Sequence, residues 1–259
     1  MNQIVRSKTF REATEGAPRS IEEERLHRKQ RLAAGYRIFA QQGYDLGLAG
    51  HITVRDPEHH DRFWVAPIGP WFGHIRVSDL VLVDHDGNIL AGEGPINQAG
   101  FAIHSELHKA RPDVIAAAHS HSIHGKAWSA LGRLLDPITQ DSCYFYENHA
   151  LFETFSGIVL DSSEGERIAR ALGDKRAVIL QNHGILTVGK SVDSAVASYV
   201  AFENACHTQL LAEAAGTIKP ISHEVASHTA NQMKGNDPGA AAFGPLYARI
   251  VREQPDLLD

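Results

Sequence analysis

Cysteine is nearly absent from this 259-residue chain, with Cys143 and Cys206 the only two. So few thiols exclude a disulfide framework and a cysteine-based zinc site. No apolar run approaches the length needed to span a bilayer. The segment from Met1 to Gly16 has basic residues but no apolar run behind them, so no signal peptide is expected and a cytoplasmic location is. Positive charge is also short: 25 Lys and Arg face 31 Asp and Glu, for a formal net charge of −6. A general nucleic-acid binder needs a basic face, and none is legible. Several nucleotide and nucleophile signatures are missing. Gly92-Glu93-Gly94 runs into Pro95 and has Asn97 where a dinucleotide fingerprint requires glycine. No Walker A sequence occurs, and Ser120 has no G-x-S-x-G elbow around it.

What is present is an ordinary globular composition, 43% hydrophobic and 22% charged, on a chain long enough to bury a sizeable core. Histidine is the exception. There are sixteen, concentrated between His104 and His183. For His59 and His60 a solvated surface suffices as an explanation; spacing has to decide the others.

Residues 1–20 are polar and aperiodic, and read as an N-terminal arm. Ser20 with Glu23 forms a capping-box pattern that opens an amphipathic helix running to about Gln42 and closed by Gly43. Short strands are expected at Ile52–Arg55 and Phe63–Ala66, and a hairpin at Leu80–Val83 and Ile89–Leu90 around Asp86-Gly87-Asn88. Asn97 to Arg111 predicts a helix stopped by Pro112. A buried strand at Val114–Ala118 and a helix from Ser122 to Leu131 follow. The alternation resumes with a helix at Ser163–Leu172, strands at Ala177–Leu180 and Gly184–Val188, and a long helix from Ser191 to Ala215. Val192, Ala195, Val196, Tyr199 and Phe202 make the apolar stripe of that last helix. The domain division expected is an arm at 1–20, one α/β domain at 21–216, and a C-terminal extension at 217–259 with weak helix at Pro245–Arg252.

The strand ending Ala116-Ala117-Ala118 leads into His119-Ser120-His121, and two imidazoles two residues apart can converge on one ion. His183 also follows an apolar strand and precedes Gly184, which permits a tight turn. Three neutral imidazoles with an open position describe a catalytic site for a divalent transition metal. The alternative is a set of hydrogen-bonded histidines, and spacing alone does not join His183 to the pair.

Ala118-His119-Ser120-His121-Ser122, the upstream Ser105-Glu106, Gln181-Asn182-His183-Gly184 with Val188-Gly189-Lys190, and Gly50-His51-Ile52-Thr53-Val54-Arg55 together resemble the class II aldolase/adducin family. The resemblance covers about residues 25 to 215. It implies a three-layer α/β/α sandwich with a central, mainly antiparallel sheet, and commonly a homotetramer with its active site at a subunit interface. It also implies that His119, His121 and His183 hold the metal, with zinc foremost and manganese or iron as alternatives. Adducins have lost the metal site, whereas all three histidines stand here, which disfavours a non-enzymatic interaction module.

The resemblance further places Glu106 as a general acid/base beside the metal. His51, Gly69 and His104-Ser105 fall where sugar-phosphate aldolases of the family hold phosphate, and those enzymes use hydroxyl and amide donors there. The replacement points away from a sugar phosphate and toward a small or aromatic, carboxylated substrate. Tyr144, Tyr146 and His149 are candidates to protonate a leaving fragment, and His124 to line the pocket or support a ligand. The activity implied is a metal-dependent carbon–carbon lyase, an aldolase or decarboxylase, working on a small carboxylated or hydroxy-carbonyl substrate through a metal-stabilised enolate. A non-heme iron oxygenase on the same three histidines, with a hydroxyphenylpyruvate- or mandelate-type substrate, is the alternative.

Overall fold

The computed structural model describes residues 18–158, 161–234 and 238–259. The arm expected at 1–20 therefore lies, except for its last three residues, outside the described residues. Helix α1 (Ile21–Gln41) begins as its sequence dictates. The Ser20 side chain accepts from the Glu23 backbone N–H, and the Glu23 carboxylate accepts from Ser20 N at 2.7 Å. Both orphan donors of the first turn are thereby satisfied.

Eight strands form one sheet: β1 (His51–Arg55), β2 (Arg62–Val65), β3 (Val81–Asp84), β4 (Ile89–Ala91), β5 (Ala116–Ser120), β6 (His149–Phe152), β7 (Ala177–Leu180) and β8 (Gly184–Gly189). Their spatial order is β4-β3-β2-β1-β5-β8-β7-β6. Every neighbouring pair is antiparallel except β6 with β7, which is parallel. Helices α2 (Gln98–Ala110), α3 (Ile123–Ser129), α4 (Ser162–Leu172), α5 (Val192–Ala215), α6 (His223–Lys234) and α7 (Pro238–Glu253) follow in chain order, with short 3-10 turns between some elements.

Alternation along the central strands sorts the core into two layers. Ala116, Ala118, Ile179 and Ile185 face one way, into a cluster with Leu32, Phe39, Val196 and Phe202 from α1 and α5. Ala117, Val178, Leu180 and Leu186 face the other way, against Ile103 and Leu107 of α2 and Ile168 and Leu172 of α4. The sheet is thus covered on both faces, as the three-layer sandwich requires. The five stripe residues of α5 are all buried.

Several boundaries depart from local pattern. β5 starts two residues later than expected and carries His119 inside the strand, because its register is fixed by β1 and β8 on either side. Strand β6 was not expected, since its pairing partner, β7, lies 25 residues or more further along the chain. Helix α6 was not expected either. The weak helix foreseen at Pro245–Arg252 is the end of the longer α7, which contains Pro245. α7 packs on α1 and α5, burying Phe243 and Ile250, and the Arg31 guanidinium lies 3.7 Å over the Tyr247 ring. Beyond it, buried Leu257 and the Arg37–Asp256 ion pair at 2.8 Å fix the C-terminus to the same layer.

Candidate metal centre

His119 points from β5 toward the α2 face, and His121 follows just past the strand's end. His183 sits in the β7–β8 hairpin, whose Asn182 takes a left-handed φ of 58°. Asparagine tolerates that conformation better than most side chains. Ring centroids are 5.2 Å apart for His119–His121 and 4.8 Å for each of the pairs with His183. One nitrogen from each ring falls within 4.8 Å of the others.

The three rings are suited to bind a cation. His119 Nδ1 is 2.9 Å from the Ile185 carbonyl, which can only accept, so Nδ1 carries the proton and Nε2 keeps its lone pair. Burial, then the neighbouring imidazoles, holds His119 well below the usual histidine range. Burial also lowers His121, and it lowers His183 to about 4 with help from His121. Neutral imidazoles with free lone pairs are the protonation state a divalent metal needs.

Helix α5 anchors the segment that carries His119 and His121. Tyr199 Oη donates to the Ser120 carbonyl at 2.8 Å. The buried Glu203 carboxylate accepts from the His124 backbone N–H at 2.9 Å, His124 Nδ1 at 3.0 Å, Ser122 Oγ at 2.6 Å and Gly125 N at 2.5 Å. It therefore caps α3 directly after His121. His124, stacked on His207 at 3.6 Å, is held in place by this carboxylate.

His51 stands opposite His119 in the β1–β5 register, with their ring centroids 5.0 Å apart. Directly opposed residues share a sheet face. His51 also lines a cleft whose wall includes Phe63, Val65, Gly69, Gly100 and Phe101, while His119, His121 and His183 are not among its lining residues. Among the described residues lining it there is neither lysine nor arginine.

Other expected site residues lie differently. Glu106 is absent from the converging group. Its carboxylate takes a hydrogen bond from Lys109 Nζ at 2.7 Å, and its Cβ lies beside Gly165 of α4. His104 does not line the cleft: it is fully buried, with one nitrogen 2.8 Å from His51 Nδ1 and the other 2.7 Å from Thr53 Oγ1. Ser105 is buried in α2. His149 has no free nitrogen, since Nδ1 donates to the Phe145 carbonyl at 2.7 Å and Nε2 accepts from Leu135 N at 2.9 Å. Tyr146 Oη bonds His223 Nδ1 at 2.8 Å. Three residues bearing on the site escaped the sequence reading: Thr53, His108 and Glu203. The i, i+4 spacing of His104 and His108 was a usable signal for one helix face.

A mixed sheet covered on both faces thus carries, at its strand ends, three converging imidazoles that could hold a metal ion. The chain belongs to the class II aldolase/adducin family: the Class II Aldolase and Adducin N-terminal domain matches residues 30–210. It is 43% identical over 237 residues to a 4-hydroxy-3-prenylphenylpyruvate oxygenase/4-hydroxy-3-prenylbenzoate synthase of Streptomyces roseochromogenus subsp. oscitans, covering 91% of this chain and 86% of that one. It is also 43% identical to decarboxylase NovR of Streptomyces niveus, covering 91% and 88%. Among solved structures, an L-fuculose 1-phosphate aldolase from Glaciozyma antarctica PI12 superposes with a TM-score of 0.87 at 44% identity, covering 94% of this chain and 96% of that one. Among the described residues no helix is long and apolar enough to cross a membrane.

Proposed function

We propose that this protein is a metal-dependent carbon–carbon lyase, an aldolase or decarboxylase, for a small carboxylated or hydroxy-carbonyl substrate. The observation that carries this reading is the convergence of three neutral imidazoles, one of them locked in its tautomer by Ile185. His119, His121 and His183 would hold a divalent transition metal, with zinc first and manganese or iron as alternatives. Such an ion supplies Lewis acidity for the negative charge that develops when a carbon–carbon bond breaks. The chain's own contribution is to orient the substrate. His51 forms the polar wall, while Phe63, Val65, Ile96 and Phe101 form an apolar one. A phosphate would meet no cation among these residues, whereas an aryl or alkyl group would exchange water for apolar contact. The 43% identity to a named decarboxylase agrees with the lyase reading, and the 44% identity to a named L-fuculose 1-phosphate aldolase makes a sugar phosphate the competing substrate to test.

An iron-dependent oxygenase on the same histidines is the second reading, favoured by the identity to a named prenylphenylpyruvate oxygenase. Metal analysis of protein purified without chelators tests the first premise: wild type retains a transition metal, and His119→Ala and His183→Ala lose it. Full retention by both variants would refute the site. Turnover of aryl-2-oxo acids or 2-hydroxy acids under argon supports the lyase; strict dependence on Fe(II) with matching oxygen uptake supports the oxygenase. We also propose a homotetramer, supported by the exposed apolar side chains Leu46, Leu48, Trp71 and Ile123, and measurable by sedimentation velocity.

A further inference from the structure

One wall of the cleft stands on a segment with few ties of its own. Phe72 lines the cleft and packs edge-on against Tyr36, with ring centroids 4.8 Å apart. It opens the segment 72–79, which consists of two 3-10 turns, Phe72–His74 and Val77–Asp79, and the residues between them. The backbone bonds of these turns reach back only three residues: His74 N–H to the Trp71 carbonyl, Ile75 to Phe72, Asp79 to Arg76 and Leu80 to Val77. Such bonds fix local shape and leave the segment's position to other contacts. Ile75 and Val77 are buried, but apolar contact is non-directional. Among the described residues, the hydrogen bonds that tie the segment to distant parts of the chain have two sources. Arg37 of α1 donates from Nε to the Ile75 carbonyl at 2.8 Å and from Nη2 to the His74 carbonyl at 3.3 Å. The Ser78 N–H donates to the backbone oxygen of Asp259 at 2.9 Å.

Both ties lead to the 3-10 turn Pro255–Leu258 and its flanks. Arg37 is only 2% exposed, so its guanidinium depends on protein partners. Nη1 donates to Gln254 Oε1 at 3.1 Å and to Asp256 Oδ1 at 3.0 Å, and Nη2 to Asp256 Oδ2 at 2.8 Å. One buried cation is thus shared between two carbonyls of the segment and two side chains at the turn. Arg76 lies 3.7 Å from the same carboxylate, and the fully buried Leu257 seats the turn in the core cluster that holds Ile38 and Ile250. If the turn leaves, the guanidinium keeps two neutral carbonyls and loses its anion. Letting water reach it then requires the segment that carries Phe72 to move.

We propose that the turn Pro255–Leu258 is a latch on the cleft, and that Arg37 is the positioning residue through which docking of the turn sets the place of Phe72. Turn and segment then open together as one unit, ahead of the central strands. That Phe72 meets substrate rests on the role proposed above for the cleft; the latch does not.

Hydrogen–deuterium exchange of the full-length protein, read by mass spectrometry on peptides spanning 72–80, 254–259, 116–120 and 184–189, tests this. In wild type, exchange in 72–80 and 254–259 should set in at one urea concentration, below that for the two strands. Leu257→Asp places a charge where the core offers it no partner, so the turn should undock. Residues 72–80 should then exchange about tenfold faster or more, with 116–120 and 184–189 unchanged. Asp256→Asn, which removes only the anion, should give a smaller shift in the same peptide. Equal acceleration in the strands would show a purely structural role and overturn the proposal. So would a wild-type profile in which 254–259 opens while 72–80 stays as protected as the strands. The wild-type profile decides even if Leu257→Asp does not fold. Failure to retain a metal while the expected exchange pattern holds would count against the proposed lyase site alone.

Discussion

Replacing Glu203 by glutamine should cost more than any other single-atom change near the site. Four donors converge on that carboxylate, two on each oxygen. Hydrogen bonds to a charged acceptor contribute about 1.5–3 kcal/mol each. Glutamine keeps one oxygen and turns an NH₂ toward the other two donors. If that NH₂ takes the place of Oε2, the Ser122 hydroxyl can rotate toward Tyr199 Oη, 2.9 Å away, but the Gly125 N–H cannot turn. One buried donor is stranded and the remaining bonds lose their charge, for a combined cost of about 3–4 kcal/mol. In a chain of this size that corresponds to a fall in Tm of roughly 6–15 °C. Because the capped turn follows His121 directly, zinc affinity should also drop by about tenfold or more. Scanning calorimetry and competition with a chromophoric chelator measure the two effects. Glu213→Gln is the control: it weakens only the partly exposed Arg133 ion pair and the hydrogen bond from Gln209, and should cost under about 1 kcal/mol. A Glu203→Gln protein that melts within about 2 °C of wild type, with unaltered zinc affinity, would refute the anchoring role.

Three further outcomes follow from the same structure. Burial pushes Asp56 up, but Arg25, the backbone N–H groups of Glu58 and His59, and Trp64 together pull it well below the usual carboxylate range. Its stabilising contribution is therefore complete above the unfolded value near 3.8 and is lost as pH falls below it. Asp56→Asn should lower the urea midpoint at pH 7 and flatten its decline below pH 4, and parallel pH profiles for the two proteins would contradict this. Gly100→Ala sets helix propensity, worth about 1 kcal/mol in favour, against a Cβ placed 2.3 Å from the His51 ring. Overpacking of about 1–3 kcal/mol should win, so the variant is expected to be less stable, and a raised midpoint would contradict that. His149→Leu removes two buried hydrogen bonds and should cost about 2–4 kcal/mol while leaving metal content unchanged; loss of metal would return His149 to the site.

Local chemistry made much of the secondary structure legible. The Ser20–Glu23 capping box, the Asn97 cap of α2, the apolar stripe of α5 and the hairpin around Gly87 depend on neighbours within a few residues, and the structure contains each of them. The family and the three histidines were legible for a related reason, since motif spacing is itself a local record. What only the tertiary structure decided were the relations between distant segments. His51-Ile52-Thr53-Val54-Arg55 alternates polar and apolar, which in an antiparallel strand suggests one wet face. Instead α2 covers that face, all five residues are buried, and His51, Thr53 and Arg55 find partners inside. Glu106 fits a catalytic position by its place in the sequence, and its carboxylate on α2 accepts from Lys109 and lies outside the group of three converging histidines. His183 joined His119 only when β8 paired with β5, across more than sixty residues of chain. Sequence periodicity fixes which side of an element is apolar, whereas register between distant strands settles which polar groups meet. For this protein the sequence supplied three histidines able to hold a metal ion, and the fold brought them together and chose the polar groups around them.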